Sequence, residues 1–253
     1  MSNGIHVALA SEKLGILWGI PITNTLIMSW VSVALVLLLA IGVGTRLKMI
    51  PGKFQTLIEA LVLYMQDFVE TTLEDKKWAR RIFPVLLTLF LFIAVSNLIE
   101  FTPGIGSILF HPAAEAGHAD AVPLLRSVNT DLNVTLALAI IVVILIEIMG
   151  IVAVGFFRYA GKFLNFSSPI NFVVGLIEWM SEMSRFISFS FRLFGNIFAG
   201  EVLIAVTTYF VPYIVPVPLM AFETFIGIVQ AAVFALLTLF FLKLAITDPH
   251  AAH

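Results

Sequence analysis

One arginine lies in the middle of a segment whose other residues are mostly apolar. Arg192 is surrounded by phenylalanine, leucine and isoleucine over residues 186–200. A guanidinium does not lose its proton in proteins, so this charge is permanent. Placing it at the centre of a bilayer costs roughly 2.5–3.5 kcal/mol on translocon scales. This cost favours a functional charge facing an ion path or a charged partner. The alternative is an arginine that reaches the headgroups or pairs with a structural glutamate.

Carboxylates follow Arg192 in the last third of the chain. Glu201 comes nine residues after Arg192, which places it about 180° away around a helix. The two side chains therefore serve different faces. In the next apolar segment Glu223, Gly227 and Gln230 follow i, i+4, i+7 spacing and share one stripe. We expect Gln230 near Arg192, with Glu201 and Glu223 together on one aqueous side of it.

Other carboxylates precede Arg192. We expect Glu178 and Glu182 toward the opposite side, where they either line a path or are simply solvated. Glu147, inside an earlier apolar run, is interpreted as a packing or hydrogen-bonded carboxylate. Because a carboxyl in a low-dielectric site can take up and release protons near neutral pH, carboxylates on both sides of a fixed cation describe two half-paths with a barrier between them. On a helical wheel these residues fall within about 80° of one another: Glu178, Arg185, Arg192, Asn196 and Ala199.

The composition is that of a polytopic membrane protein. Of the 253 residues, 60% are hydrophobic and only 12% are charged. The net charge of -2 gives no sign of nucleic acid binding. The absence of cysteine excludes a disulfide framework and a cysteine nucleophile. The five histidines lie at the termini or in one polar loop, and no phosphate loop or protease motif is present. We expect no catalytic residue, no metal and no cofactor.

The apolar runs predict an all-α membrane protein, a single membrane domain over residues 1–253 with about five membrane-embedded helices. Residues 26–45 predict a transmembrane helix, and residues 82–157 predict a transmembrane hairpin with a polar loop at 102–129. Residues 54–73 predict an amphipathic helix that lies along the interface. Basic residues flank these spans on one side, whereas the 102–129 loop carries only Arg126. The positive-inside rule therefore places the N-terminus and this loop outside and the C-terminus in the cytoplasm.

Residues 169–247 predict a pair of long antiparallel helices that carries the ion path. As one helix, residues 169–211 would extend about 64 Å, roughly twice a 30 Å hydrocarbon core. The segment must therefore be split or strongly tilted, on the order of 60° from the membrane normal. Pro212, Pro216 and Pro218 make the turn to the second helix.

The segment from Ser190 to Glu201, SFRLFGNIFAGE, closely resembles the signature of subunit a of F-type ATP synthases. Supporting similarity extends over nearly the whole chain. It includes FLFIAVSN at residues 90–97, Pro103-Gly104, DLNVT at residues 131–135 and IVQAAVFALLT at residues 228–238. Only the first 25 residues and the 105–128 loop lack it.

The resemblance implies a proton-translocating stator subunit in which Arg192 faces a carboxylate of the rotating c-ring and separates two half-channels. Asn196 and Gln230 would support Arg192. Familiar members carry a glutamate and a histidine at the positions of Glu201 and Glu223, whereas this chain carries two glutamates, which argues against a histidine switch. The implied partners are the c-ring, the peripheral stalk of subunit b, other ATP synthase subunits, the lipid bilayer and protons. The amino-acid sequence of the motif resembles that of bacterial members, which implies a bacterial inner membrane.

Two other hypotheses fit the buried charges. A self-contained secondary transporter or ion channel would bind a solute or ion with the same residues and would transport as a purified chain in liposomes. An inverted repeat would support it, and none is convincing. A purely structural membrane scaffold would tolerate Arg192→Leu without functional loss.

Overall fold

The computed structural model describes residues 11–17, 20–45, 47–100, 108–110, 122–163 and 168–247. Within these ranges the chain is almost entirely helical. The helices are α1 Asn24–Gly44, α2 Lys53–Leu73, α3 Lys76–Glu100, α4 Leu132–Val154, α5 Phe156–Phe163, α6 Pro169–Phe210 and α7 Pro216–Ile246. Two short antiparallel hairpins accompany them, formed by β1 Lys13–Leu17 with β2 Ile20–Thr23 and by β3 Leu109–Phe110 with β4 Val122–Pro123. All five histidines, Arg46 and much of the 102–129 loop lie outside the described residues.

Five helices of the described part, α1, α3, α4, α6 and α7, are long and apolar enough to cross a membrane. The predicted fold class, an all-α multi-pass membrane protein, is confirmed. Helix α2 differs from these five because its sequence is amphipathic. It buries Val69 and Leu73 against the core and leaves Leu57 and Tyr64 exposed. An apolar stripe that no described element covers suits a helix at the lipid interface.

The boundaries of the hairpin differ from those predicted. Helix α3 begins at Lys76 rather than at residue 82, because the carboxylate of Asp75 accepts a hydrogen bond from the backbone N–H of Lys77 at 2.7 Å and caps the first turn. Helix α4 ends at Val154 rather than at residue 157. Gly155 follows with φ +92°, a conformation that glycine adopts without steric cost, and the chain turns there into α5.

The corner between α2 and α3 is tied to the end of α7. Glu74 has a left-handed conformation with φ 57°, and its carboxylate accepts a hydrogen bond from Lys243 Nζ at 2.9 Å. The hydrogen bond and the charge of Lys243 lower the pKa of Glu74. Basic residues at the start of α3 and at the end of α7 therefore lie at the same end of the molecule.

Helix α6 is one unbroken helix of 42 residues, so the split-helix alternative is wrong. Its length of about 63 Å at 1.5 Å per residue requires a strong tilt within a 30 Å core. Helix α7 returns beside it, and the pairing of Asn196 with Gln230 and of Gly200 with Glu223 gives the antiparallel register. A core between α3, α4, α6 and α7 holds the pair in place, with Phe189 packed edge to face on Phe234 at 5.0 Å.

Candidate functional site

Arg192 lies on a face of α6 that no other described element covers. Arg192, Asn196 and Ala199 are all exposed, as their helical spacing predicts, and Arg192 donates a hydrogen bond to Ser188 Oγ at 3.1 Å. Leu193 and Ile197, on the opposite side of the helix, are fully buried. The guanidinium is therefore held by its own helix and directed away from the body of the chain.

Asn196 joins the exposed face of α6 to α7. Its amide donates a hydrogen bond to Gln230 Oε1 at 2.6 Å, and Gln230 is buried. The sequence predicts Gln230 near Arg192. The structure places it on Asn196, one helical turn beyond Arg192, because the antiparallel register brings those two amides level.

Glu223 lies in the contact between α6 and α7. Its carboxylate is pressed against Gly200, where a Cβ atom would collide with Oε2. Glu223 is only 5% exposed, and Oε2 has no hydrogen-bond donor among the described residues. A buried carboxylate oxygen without a donor accommodates negative charge poorly. The Glu223 carboxyl is therefore buried between α6 and α7 with one oxygen unsatisfied by the described residues.

The ion-pair partner of Glu201 is not Arg192, as the position of Glu201 on the opposite side of the helix predicts. Its Oε2 lies 3.7 Å from the guanidinium nitrogen Nη2 of Arg126, in the segment between α3 and α4. Glu223 lies beside Gly200, the residue before Glu201. The structure thus brings Glu201 and Glu223 to one end of the helix pair, the arrangement expected from the sequence.

Further polar residues surround these two glutamates, and sequence reasoning missed them. Ser127 Oγ donates to Glu100 Oε2 at 2.5 Å. Asn129 donates to Asn97 Oδ1 at 2.6 Å, and Asn97 donates to the carbonyl of Gly227 at 2.9 Å. The available signals were an acidic residue that ends the apolar run of α3 and a lone arginine in a polar loop. Neither indicates by itself which helix the side chain meets.

The remaining predicted carboxylates form a second cluster at the far end of α6. Glu178 and Glu182 bind Lys162 of α5 at 2.8 and 3.0 Å, and Glu178 also lies 3.7 Å from Arg185. Burial opposes the charge of Lys162, but hydrogen bonds and attraction from the two glutamates outweigh it and raise the pKa of Lys162. Glu178 and Glu201 are separated by about 34 Å along the helix, with Arg192 between them.

Glu147 joins this second cluster from α4. Together with Glu182, Arg185, Phe189 and Phe241 it lines a cavity of about 20 Å³. Such a volume holds about one water molecule. Tyr159 of α5 packs against Gly150 of α4 nearby. Burial, followed by repulsion from Glu147 and Glu182, raises the pKa of Tyr159.

Comparisons with known proteins agree on one family. The family described as ATP synthase A chain matches residues 26–243. A Propionigenium modestum protein named ATP synthase subunit a, sodium ion specific, is 30% identical over 240 residues, covering 94% of this chain and 79% of its own length. The ATP synthase subunit a of Campylobacter jejuni strain 81-176 is 35% identical over 83% of this chain and 84% of its own. The Mycobacterium ulcerans protein of the same name is 32% identical over 88% and 86%.

Proposed function

We propose, from the premise that this chain belongs to the ATP synthase A chain family, that it is the stator subunit that carries protons to and from a rotor. Membership makes the chain a membrane component of an ATP synthase, which works with the other subunits of that complex. The finer proposal is that two half-channels meet the c-ring on either side of Arg192. The chain then performs no covalent chemistry of its own.

One observation carries this proposal. A permanent cation lies on the uncovered face of α6, with Glu201 and Glu223 toward one end and Glu178 and Glu182 toward the other. A lipid environment would make that placement costly, whereas a partner carboxylate moving past the face would offset the cost. A carboxylate on the c-ring has the required charge.

The mechanism follows from the difference between groups that titrate and one that does not. A proton enters from outside past Glu201 and Glu223 and neutralises a ring carboxylate, which can then move through lipid. After a rotation the carboxylate meets the second half-path and releases its proton toward the cytoplasm past Glu178 and Glu182. Arg192 attracts the ionised carboxylate and repels a free proton, so it prevents direct leakage between the half-paths. Asn196 and Gln230 support its position, and ATP hydrolysis drives the reverse flow.

Orientation and partners complete the proposal. The chain is a multi-pass membrane protein, and we assign it to the inner membrane of a bacterium with the N-terminus outside and the C-terminus in the cytoplasm. The Glu74–Lys243 pair supports this orientation, since it places the basic start of α3 and the end of α7 at one end. Besides the c-ring, the peripheral stalk formed by subunit b would hold the chain against rotation.

A second candidate is sodium coupling, because the Propionigenium modestum relative is named sodium ion specific. Proton coupling and sodium coupling are distinguished by ATP-driven pumping in inverted vesicles prepared with and without sodium. Proton coupling predicts that the lumen acidifies at full rate in sodium-free buffer. Sodium coupling predicts uptake of labelled sodium and no acidification of the lumen when sodium is present.

The mechanism is tested by Arg192→Ala in the assembled ATP synthase. We expect the complex to assemble and ATP-driven acidification and ATP synthesis to fall to background, because nothing then attracts the ring carboxylate or blocks the leak. Arg80→Ala, at an exposed arginine at the start of α3, is the control and should retain full activity. Normal synthesis by Arg192→Ala would reject the mechanism.

A further inference from the structure

Arg126 is a buried cation outside the helices. It is only 8% exposed, and its guanidinium nitrogen Nη2 lies 3.7 Å from Glu201 Oε2. Residues 126–131, which join the β3–β4 hairpin to α4, are all buried although most of them are polar. A polar segment buried between membrane helices needs a dense set of hydrogen bonds.

Three helices fix the segment that carries Arg126. Ser127 binds Glu100 of α3, and Asn129 binds Asn97 of the same helix. Asp131 accepts a hydrogen bond from Thr25 of α1 at 3.0 Å and caps the N-terminus of α4. These hydrogen bonds hold the backbone that carries Arg126, and its guanidinium is therefore positioned beside Glu201.

The charges that face Glu201 are otherwise acidic in the part of the chain described. Glu100 of α3, Glu223 of α7 and Glu12 near β1 are all acidic, and Arg126 supplies the positive charge among them. A cation beside a carboxyl stabilises its ionised form, and neighbouring carboxylates do the opposite. At 3.7 Å the pair is longer than the 2.7–2.9 Å typical of a charge-assisted hydrogen bond. Thr130 also hydrogen-bonds to the Glu201 carboxyl, and Arg126 adds the neighbouring positive charge without a short contact to Oε2.

We propose that Arg126 is a positioning residue of the outer half-path, a second fixed cation that holds Glu201 in place and sets the outer pH range over which Glu201 takes up protons. This inference rests on the proposed function. It gives the two arginines different tasks, since Arg192 acts on the rotor and Arg126 acts on a relay carboxylate of the same chain.

The test is the dependence of ATP synthesis on the pH of the outer side. Inverted vesicles containing the whole ATP synthase are loaded at lumen pH values from about 5 to 8, and a potassium diffusion potential is adjusted to keep the total driving force constant. The rate of ATP synthesis falls at high lumen pH, where Glu201 no longer takes up a proton, and we call this part of the curve its alkaline limb. Arg126→Gln removes the charge that favours ionised Glu201, so we expect the limb to move to higher lumen pH by about 1 to 3 pH units, the usual effect of an arginine on a neighbouring carboxyl. Arg126→Lys keeps the charge, so its limb should stay in place while its maximal rate falls. Arg80→Gln is the matched control and should resemble the unmodified chain.

Each outcome decides for or against the inference. An unshifted limb in Arg126→Gln, or an equal shift in Arg126→Lys, overturns it. If Arg126→Gln does not assemble, the double variant Arg126→Gln/Glu201→Gln must recover assembly, because it removes the unpaired carboxylate, and failure to recover also overturns the inference. Arg192→Ala is run in parallel. Synthesis by that variant rejects the proposed function, whereas its inactivity together with an unshifted Arg126→Gln rejects only the role of Arg126.

Discussion

Arg192 and Glu223 differ in whether their charge can change. Arg192 is always a cation and lies on an exposed face of α6, where no residue of the described chain forms an ion pair with it. Glu223 is buried against Gly200 with one oxygen lacking a donor in the described chain. Their separate environments suit separate tasks, a fixed barrier and a proton carrier. The Glu223 carboxylate can occupy this position because Gly200 has no side chain.

Gly200→Ala is expected to displace the carboxylate of Glu223 without unfolding the chain. The new Cβ would collide with a flexible carboxylate, which can swing away, and not with backbone. We expect ATP-driven acidification by vesicles to fall about tenfold, which corresponds to roughly 1.4 kcal/mol on a rate. Gly42→Ala in α1, where nothing lies within 4 Å, is the control and should leave the rate unchanged. Equal rates for both variants would mean that the place of Glu223 beside Gly200 is unimportant.

At the scale of helices, α5 fixes the N-terminal part of α6. Lys162 bridges Glu178 and Glu182, which are one turn apart on α6, so a helix of eight residues anchors one of 42 residues. This pairing gives both glutamates a structural partner. Their proposed place in the inner half-path must therefore operate through carboxylates that already share a lysine.

Lys162→Gln is expected to weaken this anchor by about 0.4–2 kcal/mol, since it removes two partly exposed ion pairs, each worth roughly 0.2–1 kcal/mol. The pKa of Lys162 is raised above 10.5, so the stabilisation is fully present below pH 10.5 and is lost only at higher pH. The temperature at which the purified complex releases this subunit should fall equally at pH 7 and pH 9. Lys53→Gln, at an exposed lysine that starts α2, is the control. An unchanged release temperature for Lys162→Gln would show that the anchor is not needed.

Helical periodicity predicts much of this arrangement and misses a definable part. It predicts the five long helices, the opposite faces of Arg192 and Glu201, and the shared stripe of Glu223 and Gln230, because these depend on neighbours within one helix. It misses Arg126 and Lys162, because each comes from a segment whose place depends on contacts with distant helices. The turn at Gly155 was missed since the apolar run continues through it.

At the scale of the molecule, the proposed proton path requires a partner beside α6. The face of α6 with Arg192 also exposes Ala199 and Leu203, and apart from the hydrogen bond from Asn196 to Gln230 of α7 the described elements leave it open. An uncovered face that combines one charge with small and apolar residues suits close approach by another membrane helix. We therefore predict that this face, and no other face of α6, meets the c-ring.

Cysteine cross-linking tests this contact most directly, because the chain contains no cysteine of its own. Ala199→Cys and Leu203→Cys lie on the exposed face, and Leu193→Cys and Ile197→Cys lie on the buried face as matched controls. Each is combined with a cysteine beside the carboxylate of the c-subunit and oxidised in the assembled complex. We predict disulfide-linked dimers of the two subunits for positions 199 and 203 and none for 193 and 197. Cross-links at the buried positions, or none at the exposed ones, would contradict the claim that Arg192 faces the rotor.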